Sequence, residues 1–234
     1  MYFSNINNWL FFNRSCYLCR LADALPQGLC SACLDDLPRI APACRRCALP
    51  LSAGPDLVCG RCLRKPPPFD SCLAAFAYRF PLSQLIPQIK YQGQAVHLGW
   101  LADVMALEIE TRQPPFPQIL IPVPLAPPRL HSRGYNQAAL LAGRLGRRLE
   151  LPVDDSSLAK PKDTAHQMEL AGSARRRNLR NAFSWKGPAY GHVALIDDVM
   201  TTGTTVSEIC RLLKKSGIGR VDIWVLARTP APQD

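Results

Sequence analysis

The chain has 234 residues, enough for one ordinary domain and a small companion. Its formal net charge of +10 and pI near 9.3 favour phosphate-bearing partners over basic ones. No apolar run reaches membrane-spanning length, so membrane insertion is not expected, and there is neither a low-complexity tract nor a long disordered tail.

The opening "MYFSNINNWLFFNRS" lacks a basic leader and a cleavage site, so it does not read as a signal peptide; "NWLFF" reads as a docking segment or short helix. Four C-x-x-C pairs follow: Cys16/Cys19, Cys30/Cys33, Cys44/Cys47 and Cys59/Cys62. A C-x-x-C turn points two thiolates at one metal, and four thiolates make the tetrahedral shell that Zn²⁺ favours. The gaps inside the two halves are ten and eleven residues, which suggests a duplicated zinc ribbon with Cys16–Cys33 and Cys44–Cys62 as its units. Cross-braced pairing satisfies the same spacing. A disulfide framework or a redox motif fits less well, because no leader precedes the pairs and four copies exceed what redox chemistry needs. Two filled sites lower the formal charge from +10 to about +6. The segment is rich in Pro, Gly and charge and has little else to form a core, so metal is expected to supply its folding energy. Arg45, Arg46, Arg61, Arg64 and Lys65 form a modest basic patch beside the second half, which suits either solvent or nucleic acid. Cys72 and Cys210 lie in apolar contexts and read as core residues.

"RKPPPFD" (Arg64–Asp70) reads as a stiff linker and places a domain boundary between residues 66 and 67. Beyond it "CLAAFAYRF" predicts a strand, "PLSQLIPQIKYQGQ" a short helix ending near Lys90, and "HLGWLADVMALEIE" an amphipathic helix. "QILIPVPL" (Gln118–Leu125) predicts the next strand, "APPRLHSRGYNQ" a loop, and "QAALLAGRLGRRLE" a helix. "HVALIDDV" is β-branched and apolar up to Asp197 and predicts a buried strand that ends at the acids. "TTVSEICRLLKKSG" has helical spacing at Val206, Ile209, Cys210 and Leu213, with Gly217 as its stop. "RVDIWVLAR" predicts a last buried strand. The alternation implies a doubly wound α/β sheet.

Ligands of such sheets bind at strand carboxyl ends. There, "DDVMTTGTT" offers Asp197 and Asp198, then Thr201, Thr202, Gly203, Thr204 and Thr205 before a helix. Small residues let backbone N–H groups close around an anion, and the helix N-terminus adds positive potential. The acids repel phosphate and suit sugar hydroxyls or a Mg²⁺ ion. Together they describe a phosphorylated, hydroxyl-rich ligand such as a ribose phosphate. Further groups able to meet a pyrophosphate are Lys90 and Tyr91, the loop cations Arg129, His131 and Arg133, Asn136 and Gln137, and Arg175, Arg176, Arg177 and Arg180. His131 and His166 read as surface histidines, and neither a nucleophile triad nor a convincing general base stands out.

The acid–threonine stretch resembles the phosphoribosyl pyrophosphate (PRPP) loop of type I phosphoribosyltransferases. The four C-x-x-C pairs, "CGRCLRKPPPFD", "IKYQG", "IPVPL", "RGYNQA", "RRRNLRNAF" and "ALIDDVMTTGTTV" together resemble the ComF/GntX family over nearly the whole chain. The resemblance implies a double zinc-ribbon domain over 1–66 and, over 67–234, a type I phosphoribosyltransferase-like parallel sheet flanked by helices. It implies two zinc ions, Mg²⁺ with PRPP, and a cytoplasmic protein linked to natural transformation or use of external DNA. By the same resemblance Asp197 and Asp198 would hold the ribose hydroxyls, Thr201–Thr205 the 5′-phosphate, and Lys90 and Arg133 the pyrophosphate. The acceptor is not defined. The alternative is a non-enzymatic factor on this scaffold that contacts single-stranded DNA or DNA-uptake proteins.

Overall fold

The computed structural model describes residues 15–21, 24–52, 58–161 and 182–230. Contacts divide the chain into two compact units, Met1–Leu37 and Pro38–Asp234. In the smaller unit the described residues form a cysteine turn, in which the Arg20 N–H donates to the Cys16 carbonyl (2.9 Å), and a short helix, α1 (Ser31–Asp35).

In chain order the larger unit contains α2 (Gly60–Arg64), β1 (Ser71–Ala77), α3 (Leu82–Tyr91), α4 (His97–Arg112), β2 (Ile119–Pro122), α5 (Pro127–Arg133) and α6 (Gln137–Leu149). The two short strands β3 (Leu158–Ala159) and β4 (Ser184–Trp185) pair with each other, and β5 (His192–Met200), α7 (Thr204–Lys215) and β6 (Arg220–Arg228) follow. The main sheet is parallel throughout, in the order β1-β6-β5-β2. Its strands are apolar runs because both faces are covered. On one face Val193, Leu195, Val221, Ile223 and Val225 pack with Val206, Ile209, Cys210 and Leu213 of α7, the four positions predicted from helical spacing. The alternating residues Ala194, Ile196, Trp224 and Leu226 are also buried, on the opposite face, where α4 and α6 run. This is the expected parallel sheet with flanking helices, preceded by a cysteine-rich segment.

The compact unit begins upstream of the compositional change at 66/67. Ile40, Cys44, Cys47, Leu49 and Cys62 are buried in the same core as Val221, Ile223 and Val225, so the second cysteine set belongs to the larger unit by contact. The segment also covers the outer edge of β1: the Ala77 N–H donates to the Pro38 carbonyl (2.7 Å) and the Cys72 N–H to the Arg45 carbonyl (3.2 Å). On the other edge, Leu120 of β2 exchanges hydrogen bonds with Pro152 and Asp154, both at 2.9 Å. The proline-rich stretch is pinned where it meets the sheet. Phe69 is buried, the Asp70 N–H donates to the Val221 carbonyl (2.9 Å), and Lys214 pairs with the Asp70 carboxylate (2.7 Å).

Three elements differ from the sequence reading. The expected loop after β2 opens with a helix, α5, whose Pro127 and Pro128 have backbone angles suited to a first turn and whose end is set by Gly134 at φ +80°. β2 is shorter than Gln118–Leu125: it ends at Pro122, the Val123 N–H still donates to the Ile196 carbonyl (2.9 Å), and Pro124 has no N–H to carry the ladder further. β5 does not stop at the acids but runs on to Met200, paired with Arg228 of β6. Among the described residues no helix is long and apolar enough to cross a membrane.

Candidate ligand site and metal clusters

The carboxyl end of β5 carries the two acids. Asp198 is buried, and Lys90 from the last turn of α3 grips its carboxylate, with Nζ 3.0 Å from Oδ1 and 2.8 Å from Oδ2. The Val199 N–H donates to Asp198 Oδ1 (2.7 Å), and the Asp198 N–H donates to Asp197 Oδ1 (2.8 Å). These bonds explain how a strand can continue through two adjacent acids. Asp197 is held less comfortably. Burial, then the Asp198 carboxylate, push its pKa up to about 8, against the opposing pull of Lys90.

A carboxyl whose folded pKa exceeds its unfolded value opposes folding once the unfolded chain ionises. Here the penalty begins near pH 4 and grows until about pH 8. Asp197→Asn is therefore expected to raise the melting temperature, by about 2–4 °C for each kcal/mol recovered, with a gain that widens from pH 4 to 8. Melting curves across that range check this; a variant that melts below wild type at pH 7 contradicts it.

Beyond Met200 the chain turns through Thr201 and Thr202 to Gly203, which caps α7 with φ +76°. Thr202 Oγ1 lies 2.8 Å from Thr204 Oγ1, fixing the turn. Asp197, Val199 and the loop Thr201–Thr205 line one small cavity. Of the first N–H groups of α7, that of Thr204 donates to Thr202 Oγ1 (3.4 Å), and those of Thr205 and Val206 have no helical acceptor and can face an anion there. The structure thus brings Asp197, Thr201, Thr202, Gly203, Thr204 and Thr205 together. Lys90 meets Asp198 directly. Arg133 stacks over the Tyr91 ring, 5.7 Å from its centre, which brings it to the residue after Lys90.

The "RGYNQ" stretch does structural work. The Tyr135 hydroxyl donates to the Ile89 carbonyl, Asn136 caps α6 by accepting the Ala138 N–H (3.0 Å), and Gln137 is buried. His131 is exposed on α5. His166, Arg175, Arg176, Arg177, Arg180 and "NWLFF" lie outside the described residues. The Lys90–Asp198 pair joins residues 108 apart, and no local pattern announces it.

The eight paired cysteines form two sets, Cys16/Cys19/Cys30/Cys33 and Cys44/Cys47/Cys59/Cys62, and within each all sulfurs lie within 4.8 Å of one another. Contacts of 3.8 Å (Cys19–Cys30) and 3.7 Å (Cys47–Cys59) match the sulfur spacing, about 3.8 Å, of a tetrahedron with 2.3 Å zinc–sulfur bonds. Consecutive turns share a cluster, not crossed ones. The thiols are graded. Burial raises Cys16 and Cys44, but backbone N–H groups more than offset it and bring them to about 6 and 7. Burial above all pushes Cys33 up to about 12 and Cys47 to about 11. Each cluster therefore offers a ready thiolate and holds other protons until a dication displaces them. Two four-cysteine clusters of this geometry fit a double zinc ribbon. Cys72 and Cys210 are buried apart from them, and the Cys210 thiol donates to the Pro68 carbonyl (3.0 Å).

Residues 7–63 match the family model of the double zinc ribbon domain, and residues 136–234 that of the phosphoribosyl transferase domain. DNA utilization protein YhgH of Salmonella typhi is 37% identical over 220 residues, spanning 92% of this chain and 96% of that protein. Competence protein F of Haemophilus influenzae is 38% identical over 227 residues, spanning 93% and 98%. Competence protein ComFC of Bacillus subtilis is 26% identical over 214 residues, spanning 87% and 85%.

Proposed function

Because this chain belongs to the family of DNA utilization protein YhgH and competence protein F, we propose that it binds PRPP with Mg²⁺ and serves the uptake or use of external DNA. The observation that carries the ligand is the single cavity shared by Asp197 and the loop Thr201–Thr205. It presents the Asp197 carboxyl group to sugar hydroxyls and backbone N–H groups to a 5′-phosphate. Lys90 has three N–H donors, and its grip on both Asp198 oxygens leaves one for a pyrophosphate oxygen. Arg133, one stacking partner away, adds a second cation to that side. Mg²⁺ enters with the pyrophosphate as part of the ligand, and each cysteine cluster holds one Zn²⁺ as a structural ion.

The reaction class open to this site is transfer of ribose 5-phosphate to an acceptor as pyrophosphate departs. The chain's own part is to fix the sugar and to offset negative charge growing on the leaving group through Lys90 and Arg133. Calorimetric titration of PRPP with Mg²⁺ into the zinc-loaded chain is expected to give saturable binding that Asp197→Asn/Asp198→Asn removes. Absence of heat from folded, zinc-loaded wild type would overturn the ligand assignment and leave DNA and protein partners as the account of the family role.

A further inference from the structure

Arg228 closes β6 and is 3% exposed. Among the described residues its hydrogen bonds all end on backbone carbonyls. Nε donates to Cys47 (3.0 Å), and the two Nη1 hydrogens are shared among the carbonyls of Met200 (3.0 Å), Thr201 and Thr229 (2.7 Å). One guanidinium therefore spans a turn of the second cysteine cluster and the first two carbonyls of the threonine loop. The same two parts line one cleft of about 210 Å³, whose lining includes Cys47, Cys62, Thr202, Gly203 and Arg228 itself.

We infer that Arg228 is a positioning residue that couples the second metal cluster to the threonine loop, so that the state of the cluster sets the loop's shape. Its bearing on ligand binding rests on the phosphate-loop reading above; the mechanical coupling does not. The physics lies in two steps. In a trans peptide the carbonyl and the following N–H point in opposite directions. Drawing the Met200 and Thr201 carbonyls onto Arg228 turns the N–H groups of Thr201 and Thr202 away from it. The guanidinium thereby selects the loop form that offers N–H donors to an anion. A buried cation also tolerates no lost partner, since an unsatisfied charge in the interior is costly. If the Cys47 turn moves when its cluster empties, the cation must follow or lose a bond, and the loop carbonyls move with it. The occupied cluster, four thiolates around one dication, carries two net negative charges beside this arginine and favours its present place. A lysine has one nitrogen on a flexible stem and cannot span both parts in the same geometry.

The test is amide hydrogen exchange of the full zinc-loaded chain, read at the segment from Met200 to Thr205. The proteins are wild type, Arg228→Lys, Cys59→Ser, Cys30→Ser and the Arg228→Lys/Cys59→Ser double variant. Exchange across α4 reports any global unfolding. Expected are about tenfold faster loop exchange in Arg228→Lys and in Cys59→Ser, no change in Cys30→Ser, and a double variant no faster than either single one. Unchanged loop exchange in Cys59→Ser, or a double variant whose effects multiply, overturns the inference. If Cys59→Ser fails to fold, Arg228→Lys alone must still speed release of one of the two zinc ions to a chelator and leave the other unaltered; equal effects on both ions overturn it. None of these readings uses PRPP. In a parallel titration wild type must bind PRPP at least about tenfold more tightly than Arg228→Lys. Failure there with the exchange pattern intact strikes the ligand reading and spares the coupling.

Discussion

Cys62→Ser is expected to lower the melting temperature of the larger unit by about 10 °C or more, a loss of about 3–5 kcal/mol, whereas Cys33→Ser leaves that transition within about 2 °C of wild type. The asymmetry follows from where the clusters sit. Cys44, Cys47 and Cys62 are buried among the side chains that α7 and the sheet bury, and Ile40 and Leu49 beside them belong to the same core. A missing ligand there leaves raised thiols without the dication that offsets their burial, and it loosens the segment that covers the edge of β1. The first cluster is packed within Met1–Leu37, and its Cys19 is exposed. Differential scanning calorimetry of the two variants, with zinc content measured alongside, decides the matter. Equal losses would mean that the two clusters contribute alike to the larger unit.

The second large effect is expected at Gly203. Its φ of +76° is costly for a residue with a branched Cβ, while an added Cβ would meet only ordinary contacts, with Met200 Sδ at 3.5 Å the nearest. Substitution there acts on the backbone of the turn and does not crowd the core. Gly203→Val is expected to weaken PRPP binding about 100-fold or more while costing only about 1–2 kcal/mol of stability. Gly203→Asn should lose least, since asparagine tolerates the left-handed region, and Gly203→Ala should fall between. Affinities that do not follow the order Asn, Ala, Val would show that the turn's conformation is not what holds the phosphate.

Residues whose role is local were legible in the sequence. The C-x-x-C turns announce their own geometry, and the apolar spacing of Val206, Ile209, Cys210 and Leu213 gave the buried stripe of α7. The helix α5 was obscured by its prolines, although proline just inside and Gly134 just outside are themselves helix punctuation. The end of β5 was obscured by charge: two acids look like the edge of a strand until Lys90 and the Val199 N–H are seen to satisfy one of them. Arg228 entered the sequence reading only as the last residue of the strand "RVDIWVLAR". Its work depends on Cys47, 181 positions earlier, and no periodicity reports such a pairing. The compositional boundary at 66/67 marks where the chain changes character, but packing draws the second cysteine set in with the sheet.

The strand order has a consequence for how the chain is made. β1 and β2 leave the ribosome first, yet they are the outer strands, and β6 and β5 lie between them. Ser71 must wait for Asp222 before it has its neighbour in the sheet. While the intervening chain is being synthesised, both early strands expose apolar surface with no parallel partner. Closure is a late, long-range event, which slows folding and lengthens exposure to aggregation. The segments that flank each outer edge, 38–45 on β1 and 152–154 on β2, are made close in time to the strands they cover. Each outer edge thus has its covering segment nearby in sequence, whereas each inner edge has its partner strand far along the chain.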